Sequence, residues 1–125
     1  MRLSLMSRQE ANFPAITDKF VLVKLAAATH ASNTDLLPAI RAAITAAATA
    51  GTYPDPGMPR AIIIGNPHAT NTIYLWSRNS GLATTEGLPI PAGQSMFFGV
   101  DTSVDPQDSL RYEAVGFTFT VAAFF

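Results

Sequence analysis

The amino-acid sequence predicts a mainly β fold, an antiparallel β-sandwich or jelly-roll-like barrel with one short helix and an N-terminal arm, and three observations carry that expectation. Beyond residue 60, short apolar runs alternate with Gly, Pro and Asn turn signals, the spacing expected of antiparallel strands. Near the end of the chain Phe117, Phe119 and Val121 fall on one face of an extended segment and Thr118, Thr120 and Ala122 on the other, which is the period of a half-buried strand. Within residues 35–50, by contrast, Leu36, Leu37, Ile40, Ala43, Ile44 and Ala47 recur at helical spacing.

Taken in order, residues 1–16 mix polar and apolar side chains without a period and run into Phe13-Pro14, so they read as an arm preceding a β domain over 17–125. Residues 19–28, with Phe20, Val21, Leu22, Val23 and Leu25, form a first strand with Lys24 facing out. A polar break over 30–33 leads to the segment 35–50, which tolerates a strand through its threonines but favours a helix. Asn33, Thr34 or Asp35 can cap its start, Pro38 fits only a first turn, and Gly51 sits where a helix stops. The run Tyr53-Pro54-Asp55-Pro56-Gly57-Met58-Pro59 can continue no regular element. Strands are then expected over 60–64, 72–77, 88–90, 95–100, 110–115 and 117–124, with a polar loop at 101–108.

Composition narrows the function. Of the 125 residues 48% are hydrophobic but only 14% charged, against the usual quarter, and the net charge is -1. Such a chain has little charge to hold neighbours apart, which points to a subunit covered by partners. Without a cluster of Lys or Arg to neutralise phosphates, nucleic acid is not an expected partner. With no cysteine, disulfide frameworks and thiolate zinc sites are excluded. Charges at Arg8 and Glu10 precede any long apolar stretch, so neither a signal peptide nor a membrane span is expected, and synthesis in the cytoplasm is.

Few residue patterns suggest chemistry. Asp101, Asp105 and Asp108 lie close in sequence, yet a calcium loop of the helix–loop–helix kind would need glycine where Pro106 stands and glutamate where Tyr112 stands. His30 and His68 are far apart, with His68 placed as a turn residue after Asn66-Pro67. No nucleophile is set in a recognisable context, so the chain is expected to be no enzyme and to need no cofactor or metal. Tyr74 and Trp76 share one face of a strand, with Ile73 and Leu75 on the other. They form a possible surface aromatic platform for a sugar ring, as in a carbohydrate-binding module, the competing fate of Trp76 being core packing. The partner-binding candidates are Leu3, Leu5 and Phe13 in the arm and Phe124 and Phe125 at the chain's end, because terminal apolar residues must tuck into the domain or into a partner.

The segments Arg60-Ala61-Ile62-Ile63-Ile64-Gly65-Asn66-Pro67, Thr72-Ile73-Tyr74-Leu75-Trp76, residues 81–95 with their Gly87-Leu88-Pro89 and Gly93-Gln94-Ser95, and Leu110-Arg111-Tyr112-Glu113-Ala114-Val115 resemble small structural proteins of tailed bacteriophages. The resemblance covers residues 60–123 and leaves out the arm and the alanine-rich segment. It implies a virion component on the capsid surface, most often a decoration (cement) protein. Such proteins form homotrimers that bridge neighbouring major capsid proteins; a tail or head–tail connector component is the nearest rival.

Overall fold

A computed structural model describes residues 20–77, 87–100 and 110–125. Seven strands and one helix follow each other as β1 (Phe20–Leu25), α1 (Leu36–Gly51), β2 (Ala61–Gly65), β3 (Ile73–Ser77), β4 (Leu88–Ile90), β5 (Ser95–Gly99), β6 (Leu110–Glu113) and β7 (Phe119–Phe124), with a 3-10 turn at His30–Ser32. The strands form two sheets of orders β1-β7-β2-β5 and β4-β3-β6, antiparallel throughout. The fold is therefore mainly β and sandwich-like, and no closed barrel forms among the described residues.

Register explains which side chains are inside. In the four-stranded sheet Val21, Ala123, Ile62 and Phe98 make one row across the strands, and Val23, Val121, Ile64 and Met96 the next. All eight belong to, or pack against, the central cluster. Ile73, Leu75, Ile90 and Tyr112 of the second sheet enter the same cluster. The Tyr112 ring meets Phe119 edge-on, centroids 5.2 Å apart, so the inner faces of the two sheets touch. The Tyr112 hydroxyl donates to the Ala26 carbonyl at 3.1 Å, and burial pushes its phenol above the ordinary value.

Helix α1 spans 16 residues, one position on from the expected 35–50. Leu36, Ile40, Ile44 and Ala48, each four residues on, make its buried stripe. That stripe closes the side of the sandwich where the edge strands β1 and β6 approach each other. There the chain leaving β1 is stitched to β6: Ala28 and Ala114 exchange two backbone hydrogen bonds of 3.1 and 2.9 Å, and the Tyr112 N–H donates to the Thr34 carbonyl at 3.1 Å. Asp35 takes the N-cap position but caps with no side-chain hydrogen bond, its carboxylate lying instead 3.4 Å from Arg111 Nε.

The helix stop differs from expectation. Gly51 is still helical, and Thr52 takes the left-handed conformation at φ 54°. The Tyr53 ring folds over Gly51, where any Cβ would run into it, so the glycine serves close approach and a β-branched residue is left to turn the chain.

Two of the crossovers between the sheets, β2 to β3 and β4 to β5, meet at Asn66. Its side-chain amide donates to the Asn71 carbonyl at 2.9 Å and the Ile90 carbonyl at 2.8 Å, while its Oδ1 accepts the His68 N–H at 3.0 Å. The turn 91–94 carries Gly93 at φ 76°, as a type II turn requires, and the Gly93 N–H donates to the Asn66 carbonyl at 2.9 Å.

Candidate functional site

The outer face of the three-stranded sheet holds the expected aromatic platform, and it is covered. Tyr74 stands across from Glu113 and Trp76 across from Arg111. The segment after β1 lies over that face: the His30 ring sits on Trp76 with centroids 4.4 Å apart and planes inclined by 30°. The His30 N–H donates to Glu113 Oε2 at 2.8 Å, and Arg111 Nη1 donates to Asn33 Oδ1 at 3.0 Å. Trp76 is left 5% exposed and Tyr74 half-buried. The platform expectation is thus corrected for Trp76, whose ring face is taken by the chain's own imidazole and offers nothing on which a sugar could stack.

The aromatic end is buried too, although register puts Phe124 on the same outer face as Ala122 and Thr120. Phe124 is 4% exposed and pairs with Ala61 and Phe20 in the sheet. Phe125 is half-buried against the core cluster. Arg60 holds this end from both sides of its own peptide: its N–H donates to the Phe124 carbonyl at 2.8 Å and its Nε to the Phe125 carbonyl at 3.0 Å. At 4% exposure Phe124 leaves little side-chain surface for a partner. Leu3, Leu5 and Phe13 lie outside the described residues, as does the acidic loop 101–108.

His68 is used as a turn residue. Its Nδ1 accepts the N–H groups of Thr70 at 3.1 Å and Asn71 at 2.8 Å, which places the proton of the neutral ring on Nε2. Its ring lies 4.6 Å from that of Phe117. On the far side of the helix, Asp55 accepts from Arg41 Nη1 at 2.9 Å, from the Thr45 hydroxyl at 2.9 Å and from the Gly57 N–H at 2.9 Å. The Gly57 N–H, then Arg41, hold its carboxyl below the ordinary carboxylate value. This clip ties the proline-rich connection to α1.

The surface that sequence reasoning missed is the outer face of the four-stranded sheet. Register aligns Leu22, Ala122, Ile63 and Phe97 in one row across all four strands. Leu22 is 59% and Phe97 41% exposed, so both ends of an uncharged row remain at the surface. The neighbouring rows on that face are Phe20, Phe124, Ala61 and Gly99 on one side, with Phe124 and Ala61 buried, and Lys24, Thr120, Gly65 and Ser95 on the other. Above Gly65, which contributes no side chain, is a shallow hollow of about 160 Å³ lined also by Asn66, Pro67, Gly93, Gln94, Ser95 and Thr120. A signal for the row existed, because an outward Lys24 places Leu22 on the same face. Met96-Phe97-Phe98, apolar without alternation, hid the other end.

The chain matches no protein-family model, no curated protein and no solved structure. Among the described residues no helix is long and apolar enough to cross a membrane.

Proposed function

We propose that this chain is a non-enzymatic structural subunit that works by protein–protein contact, binding the outside of a phage capsid and reinforcing the contacts between major capsid proteins. The observation that carries the contact reading is the row Leu22, Ala122, Ile63 and Phe97, apolar across the whole width of a sheet and exposed at both ends, in a chain with only 14% charged residues. Outward apolar area of this kind costs solubility and is characteristic of surfaces that meet other proteins. The capsid, and with it the expectation of a homotrimer, comes from the resemblance of residues 60–123. An added protein that binds two or more shell subunits at once favours the assembled state by its own binding free energy.

Co-sedimentation with particles assembled from a tailed-phage major capsid protein tests this. Saturable binding by the wild-type chain, lost on Phe97→Ser, supports the reading; no binding to particles of any maturation state overturns the capsid assignment. Light scattering on the free chain checks the trimer against three times 13.3 kDa.

A further inference from the structure

We propose that the hollow above Gly65 is a binding site for one neutral sugar ring. The site goes beyond the contact reading and does not rest on it.

Gly65 ends β2 in the row Lys24, Thr120, Gly65 and Ser95. Nothing in the fold requires glycine there. It does not take the positive φ of Gly93, and a Cβ would stand 3.8 Å from Ser95 Oγ and 3.8 Å from the Thr120 carbonyl oxygen, ordinary contact distances. Glycine in a strand weakens it, and it marks places where a ligand or another backbone comes close. The missing side chain leaves open space of about 160 Å³, enough for a single pyranose ring.

The groups around that space decide the ligand class. The Ser95 and Thr120 hydroxyls and the Gln94 carboxamide line it, and none of these three side chains has a hydrogen-bond partner among the described residues. Hydroxyls and carboxamides both donate and accept, the combination that matches the hydroxyls of a sugar. Pro67 adds an apolar wall for the C–H side of the ring. Among the described residues no charged side chain lines the hollow, so nothing there selects an ion, and Lys24 stands two strands away from Gly65. Asn66 borders the space, but its amide is spent on the Asn71 and Ile90 carbonyls and fixes the rim instead. Concave space with a few convergent polar groups is the usual form of a small-ligand site. A hollow this shallow covers only part of a ring, so the affinity is expected at about the millimolar level.

Amide chemical shifts of the isotope-labelled full chain test this, in titrations with methyl α-glucoside, methyl α-galactoside and N-acetylglucosamine carried to about 50 mM, well above that affinity. At least one of the sugars is expected to give saturable shifts centred on the Gly65, Gln94, Ser95 and Thr120 amides. Gly65→Val, whose Cβ the backbone accommodates and whose side chain fills the hollow, is expected to give none. Thr120→Val keeps the side-chain shape and removes the hydroxyl; it is expected to weaken binding about fivefold, and it keeps the test decisive if Gly65→Val does not fold. The absence of saturable shifts with all three sugars overturns the proposal, as do shifts centred elsewhere or shifts unchanged in the variants. Loss of capsid co-sedimentation in Gly65→Val without any response to sugar by the wild-type chain also overturns it, in favour of a partner's backbone in the hollow.

Discussion

The imidazole of His30 covers the indole of Trp76, with centroids 4.4 Å apart, and so the segment leaving β1 shields a residue that would otherwise stand on the outer face of the second sheet. His30 is held for this by its backbone, whose N–H donates to Glu113 at 2.8 Å. Since Trp76 is the chain's single tryptophan, its emission reports this contact directly. His30→Ala is expected to shift the emission to the red and to cost about 1 kcal/mol in urea denaturation, the size of a ring–ring contact with some lost burial. Oligosaccharides are expected to leave the wild-type spectrum unchanged.

Asn66 joins the β2–β3 and β4–β5 crossovers between the sheets and is 3% exposed. Asn66→Asp keeps the acceptor for the His68 N–H but loses both donors, leaving the Asn71 and Ile90 carbonyls facing a carboxylate. The expected cost is about 2–4 kcal/mol, from the desolvation of buried groups left unpaired. Chemical denaturation measures it, and a cost within error of zero contradicts the arrangement.

Asp55 makes the stability depend on pH in one direction. Its folded-state pKa lies below the ordinary 3.8, chiefly through the Gly57 N–H and then Arg41. The fold therefore favours the carboxylate, and the contribution is complete above the unfolded-state value and is lost as pH falls through the folded-state value. Asp55→Asn, which does not titrate, is expected to be less stable than wild type at neutral pH by a margin that shrinks in strong acid. Paired urea curves at the two conditions give the margin, and one that is constant or grows with acid contradicts this sign.

Thr52 holds a left-handed conformation at the end of α1, at φ 54° and ψ 44°, where a β-branched residue is strained and glycine is not. Thr52→Gly is expected to raise stability by about 0.5–1 kcal/mol, because relief of that strain exceeds the added entropy of the unfolded chain. Thermal unfolding gives the sign.

Much of the fold was legible in the sequence. The strands expected at 60–64, 72–77, 88–90 and 95–100 coincide within a residue or two with β2 to β5, because each is a short apolar run closed by Gly, Pro or Asn. The helix expected over 35–50 is found at 36–51, with Pro38 in its first turn. The sites were much less legible. Tyr74 and Trp76 do share a strand face, but period two assigns residues to faces without saying what lies over a face. Only the return of residues 29–35 along β6 decided that Trp76 is covered, through contacts more than 40 residues apart in the chain.

The same division runs through the whole molecule. Local pattern determined which segments are strands, which is the helix and where the turns fall, since these follow from side-chain period and from the backbone freedom of Gly and Pro. Tertiary structure alone decided the strand order, with β7 set between β1 and β2, and therefore that Leu22, Ala122, Ile63 and Phe97, drawn from four separate strands, form one row. Register across a sheet is a relation between distant segments, set by the packing of the opposite face, and no single strand carries it.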